Sequence, residues 1–171
     1  MHNHQMSSAT RPIPADLPCA CTTLRKASRA VARLYEDHLA EAGLTATQFA
    51  ILRALERSGT TNLRPLADEL VMERTSLYRA IAPLERDGLV LTEADGHDAR
   101  ARRASLTEAG RARIEEALPH WRRAQDTFID GFGADDYAGF IGELRHAVAL
   151  LEASASRPGA AGTSTTGSGD D

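Results

Sequence analysis

The sequence predicts a mainly α-helical fold that contains one small β-hairpin. Aromatic residues make up only 5% of the 171 residues, so the core is expected to be aliphatic, as is typical of packed helices rather than of a β-sandwich. Apolar residues recur at spacings of three and four along several long stretches, which indicates amphipathic helices. Residues 89–106 are different, because two strand-like runs there flank a turn.

The first four helices are marked by residues that commonly begin or end a helix. A helix over residues 19–42 ends at Gly43, a residue suited to the left-handed C-cap. Thr45 begins the second helix, and Gln48 three residues later completes a capping box. Two further helices, joined by a tight turn at residues 71–72, are predicted over 63–70 and 73–87.

The sequence pattern in the second half of the chain predicts the hairpin and two more helices. The strands are expected over residues 89–92 and 100–106, with a turn at 94–99 between them. Thr107 caps a long helix that reaches about residue 129, where Gly131 and Gly133 break it. A final amphipathic helix is expected over 135–153.

The two ends of the chain have a different composition from the part between them. Residues 1–16 are polar and contain two prolines, and residues 154–171 consist mainly of Gly, Ser, Thr and Ala. Such segments cannot bury a core, so we expect a flexible N-terminal tail and a disordered C-terminal tail. One folded domain over residues 17–153 remains.

Charge and apolar content exclude some classes of protein. The net charge of −4 gives no support to nucleic-acid binding when the chain is taken as a whole, so the distribution of charge has to decide. No run of 18 apolar residues is present, and the N-terminus lacks the apolar run of a secretory signal. Cys19 and Cys21 are too close together for a structural disulfide framework. A reduced, cytoplasmic protein is expected.

The fourth predicted helix carries the pattern of a DNA-reading helix. Leu77 is expected to face the core, and no acidic residue occurs from Arg74 to Leu84, so the exposed face is locally cationic. A solvated helix face with unrelated arginines is the alternative. The candidate DNA-binding residues on this helix are Arg74, Thr75, Ser76, Tyr78 and Arg79.

The hairpin favours the DNA-binding interpretation. Arg100, Arg102 and Arg103 cluster on it with no acidic residue from 99 to 107, and Asp98 is placed to hold Arg100 in an extended pose. An arginine at the tip of a β-ribbon suits the narrow minor groove, where the negative potential is strongest. Asp98 as a simple turn residue is the alternative. Together with the preceding helices, this predicts a winged helix-turn-helix whose candidate DNA-binding residues include Asp98, Arg100 and Arg102.

Residues 63–110 resemble the MarR family of transcriptional regulators. The wing signature, Asp98-Ala99-Arg100 followed by Ser105-Leu106-Thr107-Glu108-Ala109-Gly110, is the most specific part of the resemblance. Further matching pieces are Leu66-Ala67-Asp68-Glu69-Leu70, Glu73-Arg74-Thr75-Ser76-Leu77, Leu84-Glu85-Arg86-Asp87-Gly88-Leu89-Val90, Gly43-Leu44-Thr45 and Gln48-Phe49.

The resemblance covers about residues 19–153 and implies an obligate homodimer. In such a protein the winged domain, about 45–107 here, lies between dimerisation helices, about 19–42 and 108–153. Two winged domains then reach adjacent half-sites of double-stranded DNA that form an inverted repeat. The function implied is a sequence-specific transcriptional regulator, in most cases a repressor, which a small-molecule or oxidative signal releases from DNA.

Cys21 is the candidate redox sensor. It lies 27 residues before Gln48, where the resemblance to the organic-hydroperoxide-sensing branch of the family places the reactive thiol, and Tyr35 lies where that branch has a tyrosine that can hydrogen-bond the thiolate. Arg25 and Ala46 stand where that branch has two further tyrosines. A small side chain packed at the start of a helix is the alternative interpretation of Cys21.

A non-covalent effector is the other signal that the resemblance implies. Phenolic compounds such as aromatic acids bind between the dimer helices and the winged domain in similar proteins. The candidate lining residues are Arg29, His38, Phe49 and Trp121, although each also has an ordinary structural role. No cofactor is expected, and the scattered histidines indicate no metal site.

Two alternative functions remain open at this point. A thiol-based peroxide-reacting protein would use Cys21 as its nucleophile, but no other residues of an enzymatic framework are evident. A winged-helix module that binds protein rather than DNA would have acids on its recognition helix or a wing without arginine. The sequence shows the opposite pattern, so we expect a regulator and not an enzyme.

Overall fold

The structure, a computed structural model, describes residues 17–96 and 101–155 and has the predicted mainly helical fold. A one-turn 3-10 helix (Ala40–Ala42) follows the first helix. The other elements are α1 (Ala20–Leu39), α2 (Ala46–Ser58), β1 (Thr61–Asn62), α3 (Leu63–Glu69), α4 (Arg74–Arg86), β2 (Val90–Ala94), β3 (Arg102–Leu106), α5 (Glu108–Phe132) and α6 (Ala134–Ala155).

The junction between α1 and α2 forms as the sequence predicts. Gly43 has φ of 68°, in the left-handed region, and reverses the chain after the 3-10 helix. The Thr45 hydroxyl accepts a hydrogen bond from the Gln48 amide at 3.1 Å, and Gln48 Oε1 accepts one from the Thr45 amide at 2.9 Å. This reciprocal pair is the predicted capping box, so the start of α2 is confirmed.

Helices α3 and α4 form the helix-turn-helix, and the hairpin follows α4. The turn passes through Val71, whose φ of 51° is unusual for a β-branched residue. After α4 the chain reverses at Gly88, with φ of 72°, and β2 pairs antiparallel with β3. Strand β1, which the sequence did not predict, pairs with the other edge of β3 and completes a three-stranded sheet in the order β1-β3-β2.

Helix α5 is longer than predicted, because Gly131 does not break it. Glycine in a helix costs only about 1 kcal/mol relative to alanine, so a helix with other support continues through it. The helix ends at Phe132, and Gly133, with φ of 83°, donates to the Ile129 carbonyl at 2.8 Å. Helix α6 extends to Ala155, two residues into the predicted C-terminal tail. The rest of that tail and residues 1–16 lie outside the described residues.

The chain divides into two compact units, Met1–Gln125 and Asp126–Asp171. The first has an aliphatic core contributed by α1 to α5 and the sheet. In the second, four aromatic rings contact one another with centroids 4.9–6.4 Å apart; they belong to Phe128, Phe132, Tyr137 and Phe140. The largest fully buried side chains are Leu39, Ile51, Leu52, Leu55, Leu66, Leu77, Leu84 and Ile114, all in the first unit. Among the described helices, none is long and apolar enough to cross a membrane.

Candidate nucleic-acid interface

The face of α4 has the predicted division between core and surface. Leu77 is fully buried, together with Ile81 and Leu84 one and two turns later, because these three share one side of the helix. The predicted DNA-binding residues of α4 all lie on its exposed side; they are Arg74, Thr75, Ser76, Tyr78 and Arg79. Their contact with DNA remains a prediction.

The β-hairpin presents two of its three predicted arginines within the described part of the chain. Arg102 and Arg103 are exposed on β3, and Ala104 beside them is fully buried in the core. Asp98 and Arg100, the predicted tip pair, lie outside the described residues. Their role at the DNA therefore remains a prediction.

Arg102 contacts α4 and β2. Its guanidinium nitrogen Nη2 donates to the hydroxyl of Thr92 and lies 3.4 Å from the Thr92 carbonyl oxygen. The same nitrogen is 3.5 Å from Oε1 of Glu85, which also accepts a hydrogen bond from the Thr92 hydroxyl. The three side chains thus join α4, β2 and β3.

A groove of about 440 Å³ lies between the start of α3, the start of α4 and the hairpin. Three arginines line it, and none of its described lining residues is acidic. The Asn62 side-chain oxygen is buried without a hydrogen-bond partner. The residues that define this arginine groove are Asn62, Leu63, Arg64, Pro65, Arg74, Tyr78, Ala101 and Arg102.

Arg64 is a groove residue that was not among the sites predicted from the sequence. It is the second residue of α3, where the positive end of the helix dipole disfavours a cation. A cation at such a position gains no stabilisation from the helix dipole, which indicates that Arg64 has a role outside the helix. This indication is present in the sequence.

Many arginines outside the groove are paired with acids, which explains why the net charge of −4 does not describe this surface. Each of these pairs neutralises a cation elsewhere in the first unit. In the groove, Arg64 and Arg74 have no acidic partner among the described ion pairs, whereas Arg102 lies 3.5 Å from Glu85. The pairs are Arg53–Glu56, Arg57–Glu69, Arg86–Asp87, Arg111–Glu108 and Arg113–Glu116.

The two cysteines lie at the start of α1, and both are exposed. Cys19 is the N-cap residue. The backbone amide of Thr22, then the Thr22 hydroxyl and the Cys21 amide, hydrogen-bond the sulfur of Cys19 and lower the pKa of its thiol. The role of Cys21 as a redox sensor remains a prediction, and the lowered pKa makes Cys19 a further candidate thiol.

Tyr35 is placed away from the cysteines of its own chain. Fourteen residues of continuous helix separate it from Cys21, which corresponds to about 21 Å. Its hydroxyl donates to Oε1 of Gln125 on α5. A contact between Tyr35 and the Cys21 thiolate within one chain is therefore ruled out.

A second cavity, of about 390 Å³, brings together two of the predicted effector residues. Phe49 and Trp121 line it with ring centroids 6.3 Å apart, and the side chains of Arg53 and Arg57, each paired with an acid, line it as well. The remaining described lining residues are Tyr35, Leu39, Ala46, Ala50 and Leu70.

The other two predicted effector residues do not line this cavity. The Nδ1 of His38 contacts the Leu34 carbonyl oxygen of its own helix at 2.9 Å, and Arg29 is exposed on α1. Across residues 17–96 and 101–155, no three His, Cys, Asp or Glu side chains come together in a group that could hold a metal ion.

Comparison with known proteins relates this fold to one family. A family model described as "MarR family" matches residues 42–101, from the end of the 3-10 helix to the hairpin. The regulator SarZ of Staphylococcus epidermidis is 29% identical over 91 residues, which cover 53% of this chain and 62% of SarZ. The chain thus spans about three fifths of the length of that curated relative.

Solved structures cover more of the chain. The M. tuberculosis transcriptional regulator MosR, in a crystal structure with DNA, is 34% identical, with a TM-score of 0.71 over 80% of this chain and 98% of that one. A probable transcriptional regulator from Pseudomonas aeruginosa is 27% identical, with a TM-score of 0.68 over 74% of this chain and 95% of that one.

Proposed function

The chain belongs to the MarR family of winged-helix transcriptional regulators, and we propose that it represses transcription by binding double-stranded DNA through the arginine groove and its two walls. The observation that carries this proposal is the groove itself. It combines three arginines with no acid among its described lining residues, on a chain whose net charge is −4. Because DNA lies in the cytoplasm of a bacterial cell, we propose that compartment.

The geometry of B-DNA indicates that the arginine groove would bind one sugar-phosphate strand. A recognition helix enters the major groove and a wing enters the adjacent minor groove. The sugar-phosphate strand between those two grooves must then cross the space between helix and wing, which is where Arg64 and Arg74 lie.

A second copy of the chain is the proposed partner of the exposed apolar side chains. Every described residue of α6 is at least partly exposed in the single chain, although the helix carries Val148, Leu150 and Leu151, which are 51%, 57% and 66% exposed. Leu24 on α1 is 47% exposed. Apolar surface of this kind is normally covered by an interface, so we assign residues 19–42 and 108–153 to dimerisation and about 45–107 to DNA binding.

Oxidation of the cysteine pair is one proposed signal. In this step the Cys19 thiolate attacks a hydroperoxide oxygen, the alcohol leaves, and a sulfenic acid forms on Cys19. The Cys21 thiol then displaces water and gives a disulfide. The exposure of both thiols and the lowered pKa of Cys19 support this order of events.

An aromatic acid in the second cavity is the other proposed signal. Phe49 and Trp121 offer apolar ring faces, and Arg53 and Arg57 offer cations for a carboxylate. Both arginines already pair with acids, so a ligand would have to compete with Glu56 and Glu69. Binding there would change the packing of α1, α2 and α5 and, in a dimer, the distance between the two recognition helices.

We do not propose an enzyme, because the sequence indicates no enzymatic framework beyond the cysteine itself. Steady-state consumption of hydroperoxide with a thiol reductant would support the enzyme instead. A protein-binding module without DNA affinity is the other alternative. The arginine groove, whose described lining residues include no acid, argues for DNA as the ligand.

Selection from a randomised pool of 40-base-pair duplexes tests the proposal. The reduced full-length protein should enrich an inverted repeat with half-sites about 10 base pairs apart. Arg74→Ala should abolish enrichment, whereas Arg113→Gln, which alters an arginine paired with Glu116 on α5, should leave it intact. A protein that enriches no sequence would contradict the proposal. Light scattering that shows a single 18.4 kDa copy of the protein on each bound duplex would also contradict it.

A further inference from the structure

Glu85 is an acidic residue beside a surface that we propose to bind DNA. It lies on the last turn of α4 and is partly exposed, so its charge is available to repel phosphate. A carboxylate at such a place weakens DNA binding unless it performs another task. Its contacts indicate what that task is.

The contacts of Glu85 form a closed set with Thr92 and Arg102. The Thr92 hydroxyl donates to Oε1 of Glu85 and accepts from Nη2 of Arg102. The Nη2 of Arg102 and the Oε1 of Glu85 are 3.5 Å apart. In the antiparallel register Arg102 lies opposite Ala94 and Ala104 lies opposite Thr92. The side chain of Arg102 therefore crosses diagonally to Thr92 on the same sheet face and continues to α4.

We propose that Glu85, Thr92 and Arg102 form a clamp that fixes the angle of the hairpin relative to the recognition helix. The inference rests on the proposed DNA-binding function and assigns these three as positioning residues. The hairpin and α4 must enter neighbouring grooves of the same duplex, so a change in the angle between them moves one element out of its groove. Glu85 and Thr92 then act on DNA through the position of the hairpin, while Arg102 both closes the clamp and lines the arginine groove.

The sign of one substitution separates the clamp from simple electrostatics. Removing an acid beside DNA should strengthen binding if only charge matters. The clamp predicts that Glu85→Ala weakens binding, by about three-fold per half-site, a size that corresponds to a partly exposed ion pair. Thr92→Val should weaken it similarly, because the bridging hydroxyl is lost.

The experiment measures affinity for a duplex that the wild-type protein has selected from the randomised pool, at several salt concentrations. Glu85→Ala and Thr92→Val should each lower affinity with the salt slope unchanged, since neither removes a cation from the groove. Arg102→Ala should lower affinity further, because it also removes a groove-lining cation. The double variant Glu85→Ala/Arg102→Ala should be no weaker than Arg102→Ala alone. Glu85→Gln, which keeps an acceptor for Thr92, should recover part of the loss.

Asp87→Asn is the matched control, because it removes an acid one residue after α4 that pairs only with the adjacent Arg86 among the described ion pairs. Its affinity should stay equal to wild type or rise. Glu85→Ala that binds as tightly as Asp87→Asn would overturn the clamp, and so would a double variant Glu85→Ala/Arg102→Ala that binds more weakly than Arg102→Ala alone. Failure of the wild-type protein to bind any duplex would instead overturn the proposed function.

Discussion

Gly110 lies so close to the carbonyl oxygen of Leu89 that a β-carbon on Gly110 would be 2.2 Å from that oxygen. The same carbonyl accepts a hydrogen bond from the Thr107 amide at 3.1 Å, and the Thr107 hydroxyl accepts one from the Gly110 amide at 3.0 Å. Thr107 also donates to the Gly88 carbonyl at 2.8 Å. The Leu-Thr-x-x-Gly part of the wing signature therefore fixes α5 against the end of α4.

Gly110→Ala should destabilise the fold by about 1–3 kcal/mol or more, because the new β-carbon would meet the backbone carbonyl oxygen of Leu89, which cannot move aside without displacing the main chain. Gly131→Ala on the same helix is the control, since a β-carbon on Gly131 would have no described atom within 4 Å and alanine is the better helix former. Urea unfolding followed by circular dichroism measures both. Equal stability of the Gly110 variant and wild type would contradict the close approach.

Val71→Gly should stabilise the protein. A β-branched residue in the left-handed region costs about 1–2 kcal/mol, and the Val71 side chain is 84% exposed, so it contributes little packing in return. Glycine removes that cost but adds backbone entropy to the unfolded chain, which leaves a gain of up to about 1 kcal/mol. Val71→Ala, which keeps a β-carbon, should gain less. A lower unfolding midpoint for Val71→Gly would refute this account of the turn.

Local signals in the sequence predicted most of the fold. Thr45 with Gln48, Gly43 and Gly88 each act within a few residues, so the pattern around them is sufficient to place a helix end. Strand β1 was missed because two residues show no periodicity, and its pairing partner is some forty residues away at Ala104. The expected break at Gly131 failed because the surroundings of α5 outweigh a small intrinsic preference.

Only part of the candidate site could likewise be predicted from the sequence. The exposed face of α4 follows from helical periodicity, since Leu77 fixes which side is buried. The groove around Arg64 and the contact between Glu85 and Arg102 join segments distant in sequence, and no spacing rule predicts them. The lowered pKa of Cys19 depends on its position at the N-cap of α1, a boundary that periodicity places only to within a few residues.

Cys19 should react as a thiolate at a lower pH than an ordinary cysteine. The Cys21→Ser variant retains Cys19 as its sole thiol, and its rate of alkylation by iodoacetamide should reach half-maximum below the pH found for the same variant in urea, because the hydrogen bonds from Thr22 lower the pKa only in the folded chain. Thr22→Val, which removes the hydroxyl and keeps the amide, should shift the midpoint part of the way back. Identical midpoints in folded and unfolded protein would exclude an activated Cys19.

Trp121 is the single tryptophan, so its fluorescence reports on the second cavity. Benzoate, as a simple aromatic carboxylate, should quench it saturably and should weaken DNA binding over the same concentration range. Arg53→Gln should reduce benzoate affinity by about ten-fold, the size of a lost charge-assisted hydrogen bond. Benzamide, which has the same ring without the charge, should bind less tightly than benzoate. Linear, unsaturable quenching would mean that the cavity is not an effector site.

The salt dependence of DNA binding tests the central claim, that a phosphate strand crosses the arginine groove. Wild-type affinity for the selected duplex should fall steeply as salt rises, and Arg64→Gln should reduce the steepness of log K against log salt by about one unit per half-site. Arg113→Gln, away from the groove, should match wild type. Equal slopes and equal affinities for Arg64→Gln and wild type would show that the strand does not pass through the groove.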